Sequence, residues 1–300
     1  MNKFLLFLLV FIVFSCDKEP KKKIVTPIPA PIPVILAEGK AVVIDSLLLK
    51  PFDSKVLKEF YLASGYKSVW QSKKDRKNIL VQLSNSDEEG LNSANYNVIK
   101  LQKFEKKYAS LKDNERASYD ILLTHSFQKY ISHLTNGQFN PRNFYKDWDL
   151  KENAININET IGMMLKSDSL DYKIERLKPN HVVYKSLKKA LKIINSYPKD
   201  DFTAIQIANK IVLNDTNPSL IDIKKRLIYW KDMKPKDSLS SIYDSETNEA
   251  MREFQTRHGL AADGVIGKGT IAALNFSKRN RKEQILANLE RWKWFPKDMG

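Results

Sequence analysis

The chain has 300 residues, which exceeds one typical domain and predicts two or more compact units. Its 50 lysines and arginines outnumber 35 aspartates and glutamates, and the formal charge of +15 favours a polyanionic or carboxylate-rich partner: nucleic acid, anionic lipid or bacterial cell wall. A single cysteine excludes an intrachain disulfide and any metal site built from cysteines.

The first predicted element is an export signal over residues 1–15. Its apolar run, Phe4 to Phe14, is too short to cross a bilayer core of about 30 Å, and Ser15 and Cys16 follow it. The segment resembles a bacterial lipoprotein signal, in which the part before the cysteine is removed. This resemblance implies that Cys16 is lipidated, that a membrane is a partner through this anchor, and that the protein faces the periplasm in the cell envelope. The alternative is an export signal followed by an incidental cysteine.

Residues 16–39 are predicted to form an extended tether. Prolines prevent a helix here and favour a polyproline-like chain; they are Pro20, Pro27, Pro29, Pro31 and Pro33. Such a tether would hold a folded body away from a membrane, with the lysine run at 21–23 near anionic headgroups. A linker that touches no lipid is the alternative.

Residues 40–214 are predicted to be a helical body, because no stretch alternates long enough to indicate a sheet. The best-defined helix stops at Asn136-Gly137, and a second and a third helix are closed by Gly65 and Pro198. We interpret the apolar stripes of these helices as core. The stripe of the best-defined helix consists of Tyr119, Leu122, Leu123, Phe127, Tyr130, Ile131 and Leu134.

Residues 218–275 are predicted to form a small unit of three helices. The second helix is expected to be capped at Asp244 or Ser245 and closed by the Gly-Leu step that follows it. The Asp-Gly step at 263–264 predicts a turn in which the glycine has a positive φ, and Gly267 is predicted to allow close backbone approach.

The histidines at 125, 133 and 181 do not indicate a metal site. His125 and His133 lie eight residues apart, whereas two ligands on one helix are spaced by three or four. The sequence also contains neither a phosphate loop of the Gly-x-x-x-x-Gly-Lys type nor a serine nucleophile elbow. We therefore predict no metal, no cofactor and no catalytic residue in this chain.

The stretch "AMREFQTRHGLAADGVIGKGTIAALN" resembles the second half of a peptidoglycan-binding type 1 domain. The matching residues, which we expect to be mainly structural, are Phe254, Gln255, Gly259, Leu260, Asp263, Gly264, Ile266, Gly267, Thr270, Ala273 and Leu274. The first helix, "KKRLIYWKDMKPKDS", departs from the family because it lacks the usual Leu-x-x-Leu-Gly pair. The resemblance implies that peptidoglycan is a partner. Candidate groups for the sugar hydroxyls and stem carboxylates are Gln255, Arg257, His258 and Lys268.

Four further segments resemble the helical scaffold domain of murein L,D-transpeptidases: "FYLASGYKSVWQ", "EEGLNSANYN", "YDILLTHSFQKYISHLTNGQFNP" and "LKPNHVVYKSLKKAL". Residues 277–300 resemble the start of that family's catalytic domain. Those enzymes are acyltransferases that crosslink stem peptides through a cysteine acyl-enzyme. The family's cysteine would lie beyond Gly300, and Cys16 is assigned to the lipid. We therefore expect the chain to be the anchoring, scaffold and wall-binding part, inactive by itself, either as a fragment or with a natural end at Gly300.

Two other functions fit parts of the sequence. The segment "RWKWFPK" has the basic and aromatic form of a nucleic-acid binder, but Ile285, Leu289 and Trp292 share a helical face and are predicted to pack into a core. We therefore predict no nucleic-acid partner. The alternative that stays open is a non-enzymatic lipoprotein that tethers the membrane to peptidoglycan. In either case the predicted fold is mainly α, with a helical scaffold domain followed by a small three-helix peptidoglycan-binding-like domain.

Overall fold

The computed structural model describes residues 40–167 and 169–297, and within these ranges the fold is mainly α, as predicted. The predicted signal, Cys16 and the tether lie outside the described residues. The α-helices are α1 (Lys55–Ala63), α2 (Lys73–Ser84), α3 (Val98–Lys106), α4 (Asp113–Asn136), α5 (Ile157–Leu165), α6 (Leu170–Glu175), α7 (Val182–Ser196), α8 (Ser219–Tyr229), α9 (Ser245–Arg257), α10 (Lys268–Leu274) and α11 (Lys278–Trp294).

The described residues also include short 3-10 segments and isolated β-bridges. The 3-10 segments are Ser46–Phe52, Ser86–Glu89, Ser93–Tyr96, Tyr108–Ser110 and Pro141–Asn143. The bridges pair Val43 with Lys67, Ile211 with Ile266, and Thr216 with Ile242. Two of these bridges bring the 211–216 segment against the loops of the C-terminal helices, so this connection packs on the domain that follows it.

The first hydrophobic core surrounds α4, the 24-residue helix whose apolar residues follow helical spacing most clearly in the sequence. α1, α2, α3 and α5 pack against it. The predicted stops are confirmed: α4 ends before Gly137, α1 ends close to Gly65 at φ 63°, and α7 ends before Pro198. Complete burial of an aromatic side chain contributes about 2–3 kcal/mol. This core buries Phe60, Tyr61, Trp70, Tyr96, Tyr119, Phe127 and Tyr130 to that degree.

A buried carboxylate of α4 fixes the loop that follows α1. Asp120 is 3% exposed and accepts hydrogen bonds from the backbone N–H groups of Val69 (3.0 Å) and Trp70 (2.9 Å) and from the hydroxyl of Tyr61 (2.7 Å). Burial raises the pKa of Asp120 to about 6, although the hydrogen bonds of Trp70, Tyr61 and Val69 act in the opposite direction. The loop is therefore held by an acceptor whose ionised form lacks the hydration that it would have in water.

The second hydrophobic core is formed by α7 to α11. Its buried members run from Tyr184 to Leu289, whereas those of the first core end at Ile174. α7 therefore belongs to the second core, although the sequence places it in a scaffold body that extends to 214. The domain boundaries at 40–214, 218–275 and 277–300 stay predictions.

α11 joins the two cores. It packs along α7 and also touches α4, and Leu289 at its centre is fully buried. The Glu290 carboxylate accepts hydrogen bonds from the backbone N–H groups of Gln138 and, at 3.0 Å, Phe139. The Trp292 ring packs on the second core and stacks on His181. Residues 278–294 are thus part of the packed body in this structure.

Candidate functional site

Gln255 of α9 holds the turn that joins α9 to α10. The side chain is 1% exposed; its Oε1 accepts from the backbone N–H of Gly264 at 2.9 Å, and its Nε2 donates to the carbonyl of Val265 at 3.0 Å and to Asp263 Oδ1 at 3.2 Å. The expectation that Gln255 is a surface contact for a ligand is therefore wrong. Its amide satisfies backbone groups inside the module, which would otherwise be buried without partners.

Gly264 adopts the positive φ that the Asp-Gly step predicts, at 76°. A Cβ at this position would lie 2.4 Å from Asn248 Nδ2, and the Gly264 carbonyl accepts a hydrogen bond from the Tyr243 hydroxyl at 2.6 Å. Both dihedral and space require glycine here. The motif glycine Gly259 also has a positive φ, of 66°.

The role predicted for Gly267 is wrong. Its φ is −106°, a value open to any residue, and a Cβ there would meet no atom within 4 Å. Gly267 instead precedes α10 as its N-cap in extended backbone, so no close approach requires a glycine. The cap of α9 is as expected: the Asp244 side chain accepts from the backbone N–H of Thr247 at 2.8 Å.

Arg257 lies at the end of α9 and is tied to the loop that follows α8. Its guanidinium forms an ion pair with Asp232, and the distance from Nε to Oδ1 is 3.1 Å. The side chain of Arg257 is 47% exposed and that of Asp232 is 7% exposed. Burial raises the pKa of Asp232, and the arginine partly offsets this shift. Arg257 is thus held in place with about half of its side chain open to a ligand.

His258 and Lys268 differ in accessibility. The His258 ring stacks on Phe254 at a centroid distance of 4.0 Å, and its Nδ1 lies 2.7 Å from the Phe254 carbonyl, so Nδ1 carries the proton and donates. Burial lowers the pKa of His258, which keeps the ring neutral near pH 7. Lys268 is exposed at the first residue of α10. Three of the four candidates therefore remain open to a ligand: Arg257 and Lys268 are exposed, and His258 is half-buried.

Two buried cations of α8 were not predicted from the sequence. Lys224 is 2% exposed and donates to the Ile242 carbonyl at 2.7 Å and to Asp244 at 3.1 Å. Arg226 is 4% exposed and donates to the Leu274 carbonyl at 2.6 Å. Their helical spacing gives no sign of burial, because basic residues on an amphipathic helix are usually solvated.

The histidines of α4 have aromatic partners. His125 packs edge-on against Phe52, and His133 Nδ1 lies 3.0 Å from the Tyr96 hydroxyl. In the described part of the chain no cluster of three histidine, cysteine, aspartate or glutamate side chains has the arrangement of a metal site. Among residues 40–167 and 169–297, no helix combines the length and apolarity needed to cross a membrane.

Two family models match this chain, each over a different part of the helical body. Residues 55–191 match the model described as "Scaffold domain", and residues 216–274 match the model described as "Putative peptidoglycan binding domain". No curated protein is significantly similar to the chain. The second match covers α8, α9 and α10 with the Gln255-centred turn, and the first covers α1 to α6 and most of α7. The chain therefore contains a scaffold domain followed by a peptidoglycan-binding type 1 domain, which supports a role in binding the cell wall.

Proposed function

We propose that this chain is the wall-binding and scaffold portion of a cell-wall L,D-transpeptidase, an enzyme class that crosslinks stem peptides through a cysteine acyl-enzyme. The observation that carries the proposal is the order of two domains, a scaffold domain followed by a peptidoglycan-binding domain. The segments that resemble the transpeptidase scaffold lie in the first of them. In this role the chain brings an acyl-transfer site to its polymeric substrate.

The peptidoglycan-binding domain, residues 216–274, supplies the wall contact in this proposal. Arg257 presents a guanidinium whose orientation is fixed by Asp232, and Lys268 presents an exposed ammonium group. Both suit the carboxylates of stem peptides, and His258 adds a neutral ring beside them. Gln255 and Gly264 act indirectly, because they fix the turn between α9 and α10.

Attachment to a membrane through a lipid at Cys16 is the second part of the proposal. It rests on the apolar run and the Ser-Cys step of the sequence. Each buried CH₂ of an acyl chain contributes about 0.8 kcal/mol, so two or three chains anchor a protein stably in the cell envelope. Cys16→Ala is expected to move the protein from the membrane fraction to the soluble fraction, and an unchanged membrane fraction would contradict the anchor.

The wall contact is tested by co-sedimentation of the chain with insoluble peptidoglycan sacculi across a salt series. We expect the protein to sediment at low salt and to be released as salt rises, because exposed charges are screened over about 8 Å at physiological ionic strength. Gly264→Val is expected to lose binding, since it disrupts the α9–α10 turn; it has the same net charge as the wild type, so the loss would not come from charge. A folded wild-type chain that stays in the supernatant at low salt would overturn the proposal.

A further inference from the structure

A cavity of about 440 Å³ lies beside the start of α7 and is lined by basic side chains. Its cations are Arg176, Lys178, Lys185, Lys188 and Lys297, whereas Glu175 is the one carboxylate among the lining residues. α7 begins at Val182 beside this cavity, so the positive end of the helix dipole adds to the same field. The cavity therefore combines concave shape with an excess of positive charge.

Glu89 lies under this cavity and is almost completely buried. Its carboxylate accepts a hydrogen bond from the Tyr184 hydroxyl at 2.8 Å. It also forms ion pairs with Lys178, at 2.9 Å, and with Lys188. Burial raises the pKa of Glu89, but the two lysines more than offset this, so the pKa is lowered and the group is charged. The fully buried Lys293 also donates to the Glu89 carbonyl, at 2.8 Å. Lys178 and Lys188 thus already have a carboxylate partner below the cavity, and the uncompensated charge comes from the other lining cations.

Two of the lining cations have neutral partners. The Lys185 ammonium donates to Asn180 Oδ1 at 2.7 Å, and the Arg176 guanidinium packs over the Tyr172 ring. Glu175, the remaining carboxylate, forms an ion pair with Lys178 at 2.6 Å. Lys185 and Arg176 therefore present uncompensated charge to the cavity, and such a concave site concentrates anions.

A second, aromatic cavity of about 80 Å³ continues from the first, with Pro179, Asn180 and Lys297 in both linings. The second lining also includes His181, Trp292 and Phe295. The His181 and Trp292 rings stack at a centroid distance of 4.1 Å. We call the joined cavities the α7 groove; one end is cationic and the other is aromatic.

We propose that the α7 groove binds peptidoglycan stem peptides, with their carboxylates at the cationic end and the attached organic portion against the aromatic end. This inference rests on the proposed function and adds a second wall contact, separate from the α9–α10 turn. A small inorganic anion would occupy the cationic end alone and leave Trp292 and Phe295 without a role. A ligand with carboxylates on an extended organic body occupies both ends.

The test measures the affinity of the full chain for a soluble disaccharide tetrapeptide by calorimetry. The Arg176→Gln, Lys185→Gln double variant removes two groove cations but leaves the Glu89 ion pairs intact. We expect its affinity to fall about tenfold and its salt dependence to decrease. Lys192→Gln, an exposed residue of α7 outside the groove, is the matched control and should bind like the wild type. The same ligand with amidated carboxylates should bind the wild type at least about tenfold more weakly.

The outcomes separate this inference from the proposed function. Equal affinity of the double variant and the wild type, or no binding of the tetrapeptide by the wild type, would overturn the groove proposal; if the wild type still sediments with sacculi, the wall-binding function stands. Failure of the wild type to sediment would overturn that function. Inorganic phosphate and vesicles rich in anionic lipid are the remaining probes. If either binds as tightly as the tetrapeptide and is weakened equally by the double variant, the assignment to stem peptides is wrong.

Discussion

The scaffold core and the peptidoglycan-binding module each use one buried polar side chain to hold a loop. In the scaffold core, Asp120 of α4 accepts from the backbone N–H groups of Val69 and Trp70. In the module, Gln255 of α9 accepts from the N–H of Gly264 and donates to the carbonyl of Val265. Both side chains reach from a long helix to a loop that cannot satisfy its own backbone groups.

The two loops differ in the charge of the side chain that holds them. Burial removes the hydration that stabilises an ionised carboxylate, which raises the pKa of Asp120 to about 6, whereas the Gln255 amide does not titrate. An amide also offers both a donor and an acceptor, so it can pair with an N–H and a carbonyl of the same turn. The contribution of Asp120 to stability should therefore depend on pH, while that of Gln255 should not.

The largest expected effect comes from Asp120→Ala. The substitution leaves the backbone N–H groups of Val69 and Trp70 without an acceptor in the core, and we expect the free energy of unfolding to fall by about 4 kcal/mol. Urea denaturation followed by tryptophan fluorescence measures this, because Trp70 lies in the loop. Ser118→Ala on the same helix is the control and should change stability by less than about 0.5 kcal/mol. A loss below about 1 kcal/mol for Asp120→Ala would show that the loop is held by its apolar contacts instead.

Gly264→Val should have the next largest effect, in the module. Valine tolerates a φ of 76° poorly, and its Cβ would meet Asn248 Nδ2 at 2.4 Å, so we expect a loss of about 3 kcal/mol in unfolding free energy. The control is Gly269→Ala in α10, where a Cβ meets nothing within 4 Å. That variant should be as stable as the wild type or more stable by about 0.5–1 kcal/mol. Equal thermal midpoints for Gly264→Val and the wild type would refute the steric argument.

The pH dependence of Asp120 should be smaller. The folded-state pKa is raised to about 6, above the unfolded value near 3.9, so between these values the folded state binds more protons. Stability from this group is present at low pH and is lost as pH rises towards 6. Relative to Asp120→Asn, the wild type should lose about 2 kcal/mol between pH 4.5 and 7, measured by urea denaturation at each pH. A constant difference between the two proteins would contradict the raised pKa.

Arg257→Ala should have the smallest effect on stability. The ion pair with Asp232 is about half exposed on the arginine side, where solvent screens it, so we expect a change of about 1 kcal/mol or less and an unchanged circular dichroism spectrum. Co-sedimentation with sacculi should nevertheless weaken several-fold. Arg291→Ala, which removes an exposed charge from α11, is the control and should sediment normally. If both variants bind equally, Arg257 does not contact the wall.

The helices with a clear apolar stripe, α1, α4 and α7 to α11, could be predicted from the sequence, because such a stripe depends on neighbours a few residues away. The shorter or less amphipathic helices α2, α3, α5 and α6 were not predicted. The stripe of α4, the Asp244 cap of α9 and the positive φ of Gly264 are each determined by local spacing or local backbone preference. The motif from Phe254 to Leu274 is equally local, which is why its family could be identified from residue order. Fold class and the peptidoglycan-binding module therefore follow from the sequence by itself.

Only the tertiary structure decided which polar side chains are buried and what they hold. Glutamine is usually found at protein surfaces, yet Gln255 lies in the interior, because the Gly264 N–H and the Val265 carbonyl form hydrogen bonds with its amide. The α7 groove joins side chains from α6, α7 and the end of α11 around Glu89, a residue far away in sequence. Burial of a polar group is stable only where distant parts of the chain complete its hydrogen bonds, and sequence spacing does not record such partners.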